Sequence, residues 1–241
     1  MEILKMGRAT EDSAKKSKKA ASFLSGAAAV LIAALVISAS VTATLFDRGA
    51  YNRLQDRLGL PESVGISEVE LLDNYNALID YNSVFYTGLL SFPTFPMSEA
   101  GRIHFEEVKV IFSFFQITLI VSAALTALCC FLLIKKRCHR FLASGGILSL
   151  VIPAVVVSIM AAFGWDRFFI MFHEVFFNND FWVFDARTDP VILILPDAFF
   201  LNCLLRIVIG IAITAILLIW GSNQRTLDFF RKFIKKNSLK Y

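Results

Sequence analysis

Three imidazoles occur in the chain, at His104, His139 and His173, and the imidazole is the side chain whose proton comes and goes near neutral pH. His104 is followed by Glu106 and Glu107, and His173 by Glu174. A neutral imidazole that a second imidazole or a carboxylate orients suits general acid–base work, such as proton transfer at an ester. Zinc ligation is the competing chemistry, because two histidines with nearby carboxylates can hold the metal. No H-x-x-x-H or H-E-x-x-H spacing pre-organises such ligands, so metal ranks second, and the acid–base reading calls for no metal or other cofactor. There is no G-x-S-x-G elbow and no cysteine near His104 or His173, which argues against a covalent serine or cysteine enzyme. The bland alternative for both histidines is a satisfied polar residue in an interfacial cap. His139 lies in a basic cluster and reads as a solvated or headgroup contact.

What must position these groups is a membrane. Of 241 residues, 56% are hydrophobic and only 18% are charged, a balance that belongs to polytopic membrane proteins. The net charge of +4 does not point to nucleic acid, since the basic residues gather in three clusters bordering apolar runs, the pattern of topology signals. Cys129, Cys130, Cys138 and Cys203 fall in or beside apolar spans without a C-x-x-C pair, so they offer neither a disulfide framework nor zinc-finger spacing. The first apolar run exceeds the length of a signal-peptide core and reads as an anchor.

The sequence predicts an α-helical integral membrane protein with four transmembrane helices, at residues 21–46, 108–134, 141–163 and 199–220. A basic tail (1–20), a basic hinge (135–140) and a second basic tail (221–241) hold sixteen of the 24 Lys and Arg. The positive-inside rule then places both termini in the cytoplasm. The segments 47–107 and 164–198 fall on the other face, where 47–107 and 164–200 form an extracytoplasmic cap. In the first of them, the Ser67/Glu70 capping box and a stripe of Val69, Leu72, Tyr75, Ile79 and Asn82 predict a helix over 67–82. Tyr51, Leu54 and Leu58, stopped by Gly59 and Pro61, predict a shorter one. Residues 85–95 are aromatic enough to lie along the interface. Ser98 is placed to cap a helix that carries His104 and runs into the second span, with Glu107 sharing the histidine's face. Pro153 should kink the third span and free a carbonyl.

The segment 163–200 sets His173, Asp166, Asp180, Asp185, Asp189 and Asp197 among many phenylalanines and two tryptophans. It is too aromatic for a solvated loop and too charged to span a bilayer. Asp197 reads as a helix-start residue of span four, Asp189 as a turn residue before Pro190, and Trp165 and Trp182 as interface anchors. Arg102, Arg167 and Arg187 could meet lipid phosphate or structural acids. A non-enzymatic scaffold or small transporter is the rival from another class, although spans one, two and four carry few of the mid-span ionisable groups a transporter uses.

The run Met97-Ser98-Glu99-Ala100-Gly101-Arg102-Ile103-His104-Phe105-Glu106-Glu107-Val108-Lys109 resembles a family of four-span bacterial membrane proteins. The same family pattern is met by Phe172-His173-x-x-Phe176-Phe177, Trp182, Thr188-Asp189 and Leu195-Pro196-Asp197-x-Phe199-Phe200. Some members of that family are lipoprotein intramolecular transacylases. The likeness covers nearly the whole chain after the basic tail. It departs at Asp185-Ala186, where Asp-Pro is usual, and at Asp197, where the family has Glu. The resemblance implies transfer of the sn-2 acyl chain of a diacylglyceryl-modified cysteine to that cysteine's own α-amino group, at the plasma membrane. The substrate would be a lipoprotein held among membrane lipids, with no nucleic acid and no obligate protein partner. His104 and His173 would then be catalytic, and Arg102, Glu107, Trp182 and Asp189 would orient them or bind substrate. Residues 85–95 and 168–177 would line the acyl entrance.

Overall fold

The computed structural model describes residues 2–133 and 140–223. The hinge residues 135–139, with Cys138 and His139, and the tail from 224 onward lie outside the described residues. Within these limits every regular element is helical: α1 (Glu2–Phe46), α2 (Arg48–Leu58), α3 (Leu60–Val64), α4 (Glu68–Tyr81), α5 (Glu99–Leu133), α6 (Arg140–Ser149), α7 (Val151–Phe163), α8 (Trp165–Phe176), α9 (Val191–Ile194) and α10 (Asp197–Gly221). Four stretches are long and apolar enough to cross a membrane: Ser22–Phe46, Glu99–Cys129, Phe141–Phe163 and Asp197–Gly221. Their outward side chains are the apolar ones, such as Val110, Phe114 and Ile117 on α5 and Ile213, Ile216 and Leu217 on α10. That inversion is what lipid permits, since its tails are as apolar as leucine. The chain is a four-span α-helical integral membrane protein.

The third of these stretches is broken. Its interruption falls at Leu150, between α6 and α7, three residues ahead of Pro153. Pro153 has no N–H for the Ser149 carbonyl, and its ring crowds the preceding turn, so the helix opens on the N-terminal side of the proline. Ser149 turns its hydroxyl back to donate to the Gly146 carbonyl at 2.7 Å.

Two compact units share the described residues: one combines Ile37–Ile120 with Ile152–Ile211, and the other holds the remaining segments. In the latter, Gly145 allows a close helix approach, since a Cβ there would collide with Ile32 and press on the Ala29 carbonyl. Small residues serve this purpose in membranes, where close packing has to replace the hydrophobic drive between helices.

The first unit carries the histidines. Asp47 opens α2 by accepting the Ala50 N–H at 3.0 Å, and Ser67 opens α4 by accepting the Glu70 N–H at 3.1 Å. α2 buries Tyr51 and Leu54, whereas Leu58 is exposed. On α4 the buried face carries Leu71, Asn74, Tyr75, Leu78, Ile79 and Tyr81; Tyr75, Ile79 and Asn82 of the expected stripe are buried, whereas Leu72 is half-buried and Val69 is 68% exposed. A hydrophobic pattern passes over Asn74 on this face. Asn74 is fully buried. It donates to the Glu70 carbonyl and to Thr94 Oγ1, both at 2.8 Å, and accepts the N–H groups of Thr94 and Phe95 at 3.3 Å.

Around this face Tyr51 and Tyr75 stack with centroids 3.5 Å apart, and Phe199 meets both rings edge-on. Tyr51 donates its hydroxyl to the Ile194 carbonyl at 2.8 Å, and Val191, Ile194 and Leu195 complete the core. The segment after α4 is strapped to α5. Gln116 donates to the Asn82 carbonyl at 2.8 Å and accepts the Val84 N–H at 3.0 Å. Lys109 donates to the Tyr86 carbonyl at 2.8 Å, with its ammonium 4.2 Å from the centre of the Tyr81 ring.

Asn74→Ala leaves its own buried site without polar links and the Thr94 and Phe95 N–H groups and Thr94 hydroxyl without this partner. It should destabilise the protein by about 2–3 kcal/mol, read as a lowered thermal midpoint in detergent.

Candidate active site

His104 is the sixth residue of α5. Ser98 caps this helix by accepting the Gly101 N–H at 3.0 Å. The first turns hold Glu99, Arg102, Glu106, Glu107 and Lys109, and exposed apolar side chains begin at Val110. Those charged turns therefore stand clear of the hydrocarbon, and His104 with them. His173 comes from α8, an amphipathic helix whose Trp165, Phe168, Phe169, Phe172 and Phe176 share one face.

The two rings come within 6.1 Å, centroid to centroid. Aromatic walls enclose them. Phe177 lies 4.7 Å from His104 and 5.6 Å from His173, and Phe184 lies 5.4 Å from His104. Trp182 stacks on His173 at 4.5 Å, and Phe169 packs at 4.3 Å. Trp182 thus holds one face of an imidazole. The sequence signal for Phe177 was its place in the Phe172-His173-x-x-Phe176-Phe177 run, and Phe169 fell in the 168–177 stretch expected at the acyl entrance, whereas nothing local marked Phe184.

Burial sets the electrostatics. His104 is 6% exposed, and burial, with His173 as a second cause, pushes its pKa down to about 4. Burial lowers His173 as well, partly offset by its bond to the Phe169 carbonyl. Both imidazoles are therefore neutral at pH 7. His173 Nδ1 lies 2.7 Å from the Phe169 oxygen, and a carbonyl can only accept. The proton accordingly sits on Nδ1, leaving Nε2 with a free lone pair. The buried Nδ1 of His104 has no hydrogen-bond partner among the described residues.

The acids beside the histidines have separate fates. Glu106 pairs with Arg102, which also holds Glu99, so Arg102 is tied up along the outer surface of α5. Glu174 is exposed. Glu107 accepts from Asn179 Nδ2 at 2.9 Å, a residue the sequence did not single out. Asp185 pairs with the exposed Arg187. Asp197 stands exposed in the first turn of α10, where its charge suits the helix dipole.

Asp189 is more than a turn residue. It is 3% exposed and accepts the Ser98 N–H at 2.8 Å through Oδ1 and the Thr188 hydroxyl at 2.7 Å through Oδ2. It thereby ties the segment before α9 to the start of the helix that carries His104. Gly101 makes room for it, since a Cβ there would collide with Asp189 Oδ1. Among the described residues no three His, Cys, Asp or Glu side chains converge as metal ligands. What the arrangement supplies is a free imidazole nitrogen beside a second neutral imidazole, in an apolar enclosure.

Residues 27–200 match the family model described as lipoprotein intramolecular transacylase Lit. No curated protein sequence matches the chain. Solved in meso structures of the membrane integral lipoprotein intramolecular transacylase Lit from Bacillus cereus are similar to it. One is 30% identical, with a TM-score of 0.78, covering 90% of this chain and 97% of that one. A variant with one histidine replaced by arginine is 28% identical, with a TM-score of 0.79, covering 96% and 99%. Another, with the same histidine replaced by alanine, is 29% identical, with a TM-score of 0.78, covering 94% and 99%.

Two outcomes follow from this geometry. Gly101→Ala forces Asp189 off the α5 start and should cost about 1–3 kcal/mol in stability, seen as a drop in thermal midpoint. The neutral form of His104 is favoured in the folded state, so its contribution to stability is present above the ordinary imidazole pKa of 6.5 and is lost as pH falls toward about 4. Wild-type stability should fall across that window by roughly 2–3 kcal/mol more than that of His104→Gln, read as a larger drop in thermal midpoint.

Proposed function

The chain belongs to the lipoprotein intramolecular transacylase family, and from that premise we propose that it moves the sn-2 acyl chain of a diacylglyceryl-cysteine lipoprotein to the α-amino group of the same cysteine. His104 and His173 act as the acid–base pair. The observation that carries the assignment is the meeting of two neutral imidazoles from separate segments, one with its tautomer fixed by a backbone carbonyl.

The amine arrives as an ammonium, since an α-amino group ordinarily titrates near 8. His173 Nε2 takes one of its protons. The freed nitrogen attacks the ester carbonyl carbon, the new C–N bond forms, and the C–O bond to glycerol breaks. Of the three ammonium protons, one stays on the amide, one ends on the glycerol oxygen, and one passes through the imidazole to solvent. His104 donates to the ester oxygen as negative charge develops there. A positioned base contributes about 10²–10⁴-fold and one oxyanion donor about 10²–10³-fold. Nucleophile and ester belong to one substrate, so holding it in the right pose supplies much of the remaining effective molarity. No acyl-enzyme is required.

Both termini then lie in the cytoplasm and the histidine site at the extracytoplasmic face of the plasma membrane, a reading that the basic clusters support through the positive-inside rule. There the ester of a membrane-anchored substrate meets water. The phenylalanine-rich surfaces around 85–95 and 168–177 receive its acyl chain.

His173→Gln and His104→Gln should each lower conversion of a diacylglyceryl reporter lipoprotein by about 100-fold or more, measured by mass spectrometry of its N-terminal lipopeptide. Undiminished N-acylated lyso-product from both single variants would sink the two-histidine assignment.

A further inference from the structure

We propose that Glu107 is the receptor for the substrate's α-ammonium group. The proposal rests on the acyl-transfer reading above and adds to it the site that binds the nucleophile before it reacts. Glu107 follows His104 by three residues on α5, a spacing that sets two side chains on one helix face with Cβ atoms about 5–6 Å apart. One carboxylate oxygen, Oε1, is fixed by Asn179. The other, Oε2, is buried and has no hydrogen-bond partner among the described residues. Asn179 lies two residues past Phe177, the ring that packs against both imidazoles. The segment that walls the histidine site therefore also anchors Glu107.

The charges around it are already taken. Arg102 is held by Glu99 and Glu106, Lys109 donates to the Tyr86 carbonyl, and Glu107 forms no ion pair among the described residues. A desolvated carboxylate oxygen left in this way is costly until a cationic donor reaches it. An ammonium answers that need. It has three N–H donors, one of which can make a charge-assisted bond to Oε2 while another faces the imidazole pair on the same side of α5. Glu107 then orients the nitrogen that His173 deprotonates. Asp189 cannot serve instead, because both of its oxygens are engaged, and Glu174 is exposed on α8.

The test uses full-length protein in detergent and two unreactive ether-linked dialkylglyceryl-cysteinyl peptides, one with a free α-amine and one lacking that nitrogen. Wild type should bind the amine-bearing peptide roughly tenfold or more tightly. Glu107→Gln, which keeps the shape and can keep the Asn179 bond, should reduce that preference to within about threefold. Glu107→Asp, with the charge on a shorter stem, should retain part of it. A full preference in either variant, or none in wild type, would overturn the proposal. Should the Gln variant prove unstable, the Asp variant decides alone. An ester-linked substrate run in parallel keeps the two readings apart. Failure of wild type to form N-acyl product refutes the transacylation reading, whereas product formation with an undiminished preference in Glu107→Gln refutes only the role of Glu107.

Discussion

The hydrogen bond from the Ser98 N–H to the buried Asp189 carboxylate is the contact on which the arrangement of the site depends. The two histidines lie 69 residues apart, on helices that share no loop, and an imidazole pair is useful only at a fixed separation. The Asp189 carboxylate joins the segment preceding α9 to the first turn of α5, against a glycine that leaves just enough room. A carboxylate at a helix start meets unsatisfied N–H groups and the positive end of the dipole together, so this bond is stronger than an amide side chain could make there. From this joint, Phe184 reaches His104 and Trp182 stacks on His173, both from the chain immediately upstream of Asp189. One short segment thus locks the register of α5 and walls both rings.

The aromatic enclosure has an electrostatic consequence as well as a steric one. Removing water disfavours the imidazolium, and the nearness of His173 disfavours it further at His104, so both rings are uncharged at neutral pH. The Phe169 carbonyl then separates the roles by holding a proton on His173 Nδ1. A backbone acceptor one helical turn away achieves this without a second carboxylate. It also explains why the acids next to the histidines in the chain, Glu106 and Glu174, are spent elsewhere or exposed.

The features legible in the sequence were those with a local cause. The Ser67 cap, the Ser98 cap and the placement of His104 at the head of a long helix each depend on residues within one turn of one another. The four spans were legible because each contains an apolar run long enough to cross the hydrocarbon. The features that escaped are non-local or break the hydrophobic pattern. Asn74 belongs to the core because of N–H groups twenty and twenty-one residues away, so a periodicity read from apolar residues alone passes over it. α8 gathers Trp165, Phe168, Phe169, Phe172 and Phe176 within one arc of about 100°, but aromatic residues continue past its end to Phe184, so the density of the whole stretch hides where the helix stops. Asp189 reads as a turn residue until its long-range partner, 91 positions back, is in view.

Depth links the fold to the proposed chemistry. The Glu99–Cys129 stretch of α5 has 31 residues, or about 46 Å at 1.5 Å per residue, against roughly 30 Å of hydrocarbon. Its charged turns extend to Lys109, and its exposed apolar surface begins at Val110, so His104 stands about 9 Å above that boundary. The ester carbonyls of a glyceryl lipid lie at the same boundary, where acyl chains give way to polar groups. Lys109 and Gln116 strap the 82–86 segment to α5 across this level, leaving Phe85 and Leu89 exposed where an acyl chain would leave the bilayer. A site much higher would require the substrate to be drawn out of the membrane. One much lower would require its ammonium to enter hydrocarbon, which costs several kcal/mol. The turn of α5 that holds His104 and Glu107 meets both demands, because each residue finds its neighbours within the protein rather than in lipid or in water.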